Sequence, residues 1–161
     1  MQRYVLVAAM VIGGWAMSAA NGRAADTIPL DKVPEKIMAA INSRFPGQEL
    51  KSVEKETENG NVVFDVELTQ KGRKYEADIK EDGTILEIEK ETAAKDFPAA
   101  CSDAIKAKYP KAKIEEIMEV NKVEGKKETP IHYECVLSEP GKKSFEVVVA
   151  LDGKTVEEEK E

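Results

Sequence analysis

Few residues in this chain are of a type that does chemistry. There is one histidine, His132, and there are two cysteines, Cys101 and Cys135. A zinc site takes three or four ligands of this kind, and a lone histidine does not make one, so His132 reads as an ordinary strand or surface position. Ser and Thr are scattered without a histidine that could serve several of them, which gives a nucleophilic triad little support. Asp and Glu number 31, so two of them must lie close enough to resemble an acid–base pair; such abundance favours a solvated surface instead. The Asp82-Gly83 and Asp152-Gly153 pairs lack the following acidic ligands of a calcium loop. The expectation is a protein that is not an enzyme and carries no metal or other cofactor.

Those residues must be placed by the rest of the chain, and its first segment is not fold. Residues 1–24 carry Arg3, an uncharged run from Tyr4 to Ala20 and then small residues, the layout of a cleaved secretory signal with cleavage after Ala20 or Ala24. No Cys follows the run, which argues against a lipid anchor. Export to the periplasm or the medium is therefore expected. Losing Arg3 and Arg23 with the leader deepens the formal charge from −7 to −9. An acidic protein has no basic face for phosphate, so neither nucleic acid nor, once the leader is gone, an anionic membrane is an expected partner. The acidic end, Glu157 to Glu161, reads as a solvated tail.

The remaining chain contains itself twice. Val33-Pro34 and Phe45-Pro46 recur as Phe97-Pro98 and Tyr109-Pro110 with the same spacing. Leu50 and Val53 align with Ile114 and Ile117. After an insertion near 125–130, Phe64, Val66 and Leu68 align with Tyr133, Cys135 and Leu137. Tyr75, Ala77 and Ile79 align with Phe145, Val147 and Val149, and Asp82-Gly83 with Asp152-Gly153. Each Pro pair brackets a helix, because Pro suits a first helical turn and the residue before a Pro is pushed out of the α region. Downstream the apolar period falls to two, and Gly-bearing turns join the segments, the pattern of antiparallel hairpins. The expected fold is α+β: two tandem modules, each with one α-helix packed on a four-stranded antiparallel meander sheet, at residues 30–92 and 93–161.

This layout of a helix and a meander, duplicated behind a signal peptide, resembles the PepSY-like proteins, a group also described as beta-lactamase-inhibitor-like. The resemblance rests on the helix ending in RFPG or KYPK, the strand FDVEL or YECVL, and the strand followed by EDG or LDG. It implies a secreted or periplasmic non-catalytic protein-binding module, a restraint on a peptidase or another envelope hydrolase. No inhibitory residue is carried over from any known inhibitor.

The repeat also says where side chains point. Cys101 aligns with Ile37 and Cys135 with Val66, so both face the interior between helix and sheet. In an oxidising compartment a disulfide between them is one expectation, and a pair of buried free thiols is the other. On the opposite sheet face five positions change in one direction: Glu54, Glu56, Glu67, Asp78 and Lys80 become Met118, Val120, Val136, Val148 and Ala150. An apolar patch of that kind invites cover. The candidate occupants are the first module, a second copy in a homodimer, a partner protein or a small ligand.

Overall fold

The computed structural model describes residues 26–58 and 61–158. The leader and both alternative cleavage sites lie outside the described residues. Strand β1 (Asp26–Thr27) and a single 3-10 turn (Leu30–Lys32) precede helix α1 (Glu35–Arg44). Four strands follow: β2 (Glu49–Glu58), β3 (Asn61–Gln70), β4 (Arg73–Lys80) and β5 (Ile85–Glu91). Helix α2 (Ala99–Lys108) opens the second half, followed by β6 (Lys113–Glu124), β7 (Lys127–Ser138), β8 (Phe145–Ala150) and β9 (Val156–Glu158).

The two helices are framed as the Pro pairs imply. Pro34 and Pro98 occupy the N-cap, with ψ of 141° and 134°, one position before the first helical turn. Phe45 and Tyr109, each held ahead of a Pro, leave the helix at φ near −125° while their N–H groups still donate to Ile41 and Ile105. Between β3 and β4, Lys71 and Gly72 both have positive φ, 52° and 77°. That pair makes the turn whose twist matches an antiparallel hairpin.

The architecture is α+β, but the sheet is one and not two. All nine strands form a single antiparallel sheet in chain order. The expected pair of four-stranded sheets merges because β5 pairs with β6, from Glu87↔Lys122 to Glu91↔Met118. Two separate meanders would each leave a row of unpaired backbone N–H and C=O groups at this edge, and pairing the edges satisfies both rows at once. Of the acidic end, Glu157 and Glu158 belong to β9, which pairs with β8, and both stay exposed; residues 159–161 lie outside the described residues.

Cross-strand register places both cores on the same side of the sheet. Ile37, Ile41 and Phe45 of α1 pack on Val53, Phe64, Val66, Leu68, Ala77, Ile79 and Ile88. Cys101 and Ile105 of α2 pack on Ile117, Tyr133, Cys135, Leu137, Val147 and Val149. Glu128 of β7 ties the halves together on this side through ion pairs with Arg44 of α1 and Lys90 of β5. Val123 of β6 reaches across the join into the α1 cluster.

Candidate contact face

Because side chains alternate along a strand, the face opposite the helices is built from the residues between those core positions. Directly opposed residues share a face, so the pairing reads it off in rows that cross the strands. One row runs Glu54, Asp65, Asp78, Glu87 and Lys122. The next runs Ser52, Glu67, Glu76, Glu89, Val120, His132 and Ala150. A third runs Thr69, Lys74, Glu91, Met118, Glu134 and Val148. A fourth runs Glu116, Val136 and Glu146. The face is therefore rich in carboxylate on β2–β5 and mixed on β6–β8, where Met118, Val120, Val136, Val148 and Ala150 alternate with Glu116, His132, Glu134 and Glu146.

All five of the apolar residues singled out in the sequence lie on this face. Met118 and Val120 are buried, at 4% and 0% exposure. Val136, Val148 and Ala150 are half-buried. They do not form an unbroken patch, because β7 threads His132 and Glu134 between those of β6 and those of β8. His132 Nε2 lies 2.9 Å from Glu134 Oε1, and burial lowers the imidazole pKa. The ring is thus held neutral near pH 7 and donates to the carboxylate. The first half of the chain does not cover the patch; it joins the second half edge to edge and continues the same face.

Sequence reasoning missed the carboxylate half as a unit. Glu76, Asp78, Glu87, Glu89 and Glu134 are all less than a tenth exposed. Lys74 offsets part of this charge, 3.0 Å from Glu76 and 2.7 Å from Glu116 across the join. For Asp65 and Glu89 no hydrogen-bond donor among the described residues reaches the carboxylate. Burial, and then Glu76, Glu56, Glu54 and Glu67, push Asp65 up to about 7. Burial, and then Glu134, Glu76, Asp78 and Asp65, raise Glu89 well above the usual carboxylate range. The strand alternation in FDVEL, YEADI and LEIEKE carries the signal for these positions, but their mutual contact depends on strand pairing. Among the described residues, no three of the His, Cys, Asp and Glu side chains converge to hold a metal ion.

Both cysteines lie where the repeat places them, in the core beneath α2, and both thiols are free in this structure. Cys101 Sγ donates toward the carbonyls of Ala150 and Leu151. Burial, with the Cys101 charge next, pushes the Cys135 thiol up to about 12.

This arrangement of repeats and strands can be compared with known proteins. The profile of the family described as "Putative beta-lactamase-inhibitor-like, PepSY-like" matches twice, at residues 12–71 and 62–156. The chain belongs to the PepSY-like family. Solved structures share this chain's fold at low identity. A DUF2874 family protein from Bacteroides uniformis has a TM-score of 0.57 at 11% identity, over 78% of this chain and 89% of its own. A protein from Bacteroides eggerthii, described as a "putative periplasmic" protein, has a TM-score of 0.58 at 12% identity, over 78% and 88%. A BLIP-like protein from Bacteroides fragilis has a TM-score of 0.52 at 14% identity, over 78% and 84%. No curated protein sequence matches this PepSY-like chain. No described helix is long and apolar enough to cross a membrane.

Proposed function

We propose that this PepSY-like protein is an exported, non-catalytic protein-binding module whose helix-free sheet face is its contact surface. The observation that carries the reading is the placement of Met118, Val120, Val136, Val148 and Ala150 on one face of β6–β8, opposite the core that the helices already fill. Met118 and Val120 are already buried, so Val136, Val148 and Ala150 present the accessible part of this surface. The leader-like start and a structural relative described as periplasmic support export. The BLIP-like relative supports a role in binding another protein, and an envelope hydrolase such as a peptidase is the partner class this reading favours. A site for a small ligand is disfavoured, because His132 and Glu134 interrupt the apolar side chains across this face.

The test is photo-crosslinking in the intact cell envelope. A photoreactive residue replacing Val148 should give a discrete crosslinked product that one at Lys111, in the exposed turn between α2 and β6, does not. The product should disappear when Val136→Glu is added. If position 148 crosslinks no more than position 111, the face is idle surface and the binding reading falls. If the only product has twice the mass of the chain, the face serves a homodimer instead.

A further inference from the structure

We propose that the occupant of this face is an amphipathic helix of a partner protein, basic over its first or last two turns and apolar over the remainder, lying across the strands along the row from Glu67 to Ala150. The inference rests on the protein-binding reading above and adds the chemistry of the partner.

Three observations support it. The row Glu67, Glu76, Glu89, Val120, His132, Ala150 is acidic on three consecutive strands and then uncharged on three. A ligand complementary to it must change character half-way along. Neighbouring strands stand ~4.8 Å apart, so six strands span ~24 Å, the length of about 16 helical residues. Residues at i, i+3, i+4 and i+7 of a helix repeat at ~5–6 Å, close to the strand spacing, so successive Lys or Arg side chains can meet successive carboxylates. Finally, Glu89 sits at the point of change, only 8% exposed, with no donor among the described residues reaching its carboxylate. A buried carboxylate among like charges is costly until a cation or a proton joins it.

A second copy is the poorer occupant. Two such faces laid together would set the row from Glu54 to Glu87 against either another set of carboxylates or the β6–β8 half, and both arrangements bury carboxylates without a cation. Nucleic acid is repelled for the same reason.

The experiment uses the mature protein and two dye-labelled 16-residue helical peptides, read by fluorescence anisotropy. One carries Lys on a single face of its first half and Leu on that face of its second half; in the other, Glu replaces every Lys. The Lys peptide should bind, and its affinity should fall at least tenfold between 50 and 300 mM salt, since exposed charge pairs are screened. The Glu peptide should bind at least tenfold more weakly. The double variant Glu67→Gln, Glu76→Gln takes two carboxylates out of the row at nearly constant side-chain volume; its thermal melt should show that it stays folded, and it should weaken the Lys peptide at least fivefold. Equal binding of both peptides, no binding of the Lys peptide at 50 mM salt, or unchanged affinity in the double variant would each overturn the proposal. If crosslinking from position 148 still captures a partner while the Lys peptide fails, the contact face stands and the basic helix does not. Failure of both removes both.

Discussion

Glu89 of β5 stands directly opposite Val120 of β6, and the two are 8% and 0% exposed. The pair joins the two halves of the sheet and marks the step from the carboxylate-rich to the mixed half of the face. A buried carboxylate beside a valine, with Glu76 and Glu134 as its charged neighbours, opposes folding unless it is protonated. Glu89→Leu should therefore raise stability at pH 8 by about 1–2 kcal/mol, seen as a higher urea midpoint with an unchanged slope. A lower midpoint would mean that the carboxylate has a stabilising partner in the folded chain.

Asp65 yields a prediction with a definite pH window. Its folded pKa of about 7 lies above the ordinary 3.8, so the unfolded chain releases this proton first as pH rises. The group thus costs the fold nothing below about pH 4, costs progressively more up to about pH 7, and costs a constant amount above. After burial, the charges that raise it are Glu76 on β4, Glu56 and Glu54 on β2 and Glu67 on its own strand; Asp78 on β4 stands directly opposite. Asp65→Asn should leave stability at pH 4 nearly unchanged and raise it at pH 8. The gain should be on the order of 1–2 kcal/mol, because water penetrating an open sheet face moderates the shift. Urea titrations at the two pH values check this, and an equal effect at both would exclude the charge as its cause.

How much of this was legible in the sequence depends on range. The helices and hairpins follow from local signals: the bracketing Pro residues, the change of apolar period, and the Lys71-Gly72 turn. The repeat even reproduces a bulge, between Leu50 and Ser52 on β2 and between Ile114 and Glu116 on β6. The β5–β6 pairing is different. Glu89 and Val120 are separated by α2, and alternation within each strand says nothing about which edges meet. Without that pairing the sequence implies two sheets, and the carboxylate rows, which exist only across strands, are invisible. Strand β1, two residues long, falls below any periodic signal. The five apolar positions of β6–β8 could be assigned to the outer face because they needed only the repeat alignment and the period of two.

The Asp-Gly turns show how alike the repeats are and where they differ. Gly83 and Gly153 both have positive φ, and both turns lie against the start of a helix. A Cβ at Gly83 would come 3.1 Å from the Lys36 carbonyl oxygen; at Gly153 it would come 2.6 Å from that of Ala100. The left-handed conformation alone costs about 1–2 kcal/mol for a residue with a side chain. Gly83→Ala should cost about that much. Gly153→Ala should cost more, about 2–4 kcal/mol, because a backbone carbonyl in the first turn of α2 cannot move aside cheaply. Gly47→Ala, with φ of 75° and open space around it, is the control for conformation without a clash. Equal losses at positions 83 and 153 would show that α2 shifts freely on the sheet.

The turn at Gly153 lies against the backbone N of Cys101, and the last prediction concerns that residue. Cys101 and Cys135 share the core beneath α2, where burial raises both thiol pKa values and leaves almost no thiolate at neutral pH. The folded, reduced protein should therefore resist alkylation until it is unfolded. Passage through an oxidising compartment changes the expectation. Exchange with an oxidised dithiol carrier would remove two electrons and two protons from the pair and join α2 to β7. Closing a loop of about 35 residues is worth on the order of 3–4 kcal/mol in the chain-entropy model. Protein purified from the envelope should then show no titratable thiol in denaturant without reductant, and two after reduction. Cys101→Ala and Cys135→Ala should lose similar stability, since each removes the same bond. Two thiols titrating before reduction would return both residues to ordinary apolar packing, and the two alanine variants would then differ according to the cavity each leaves.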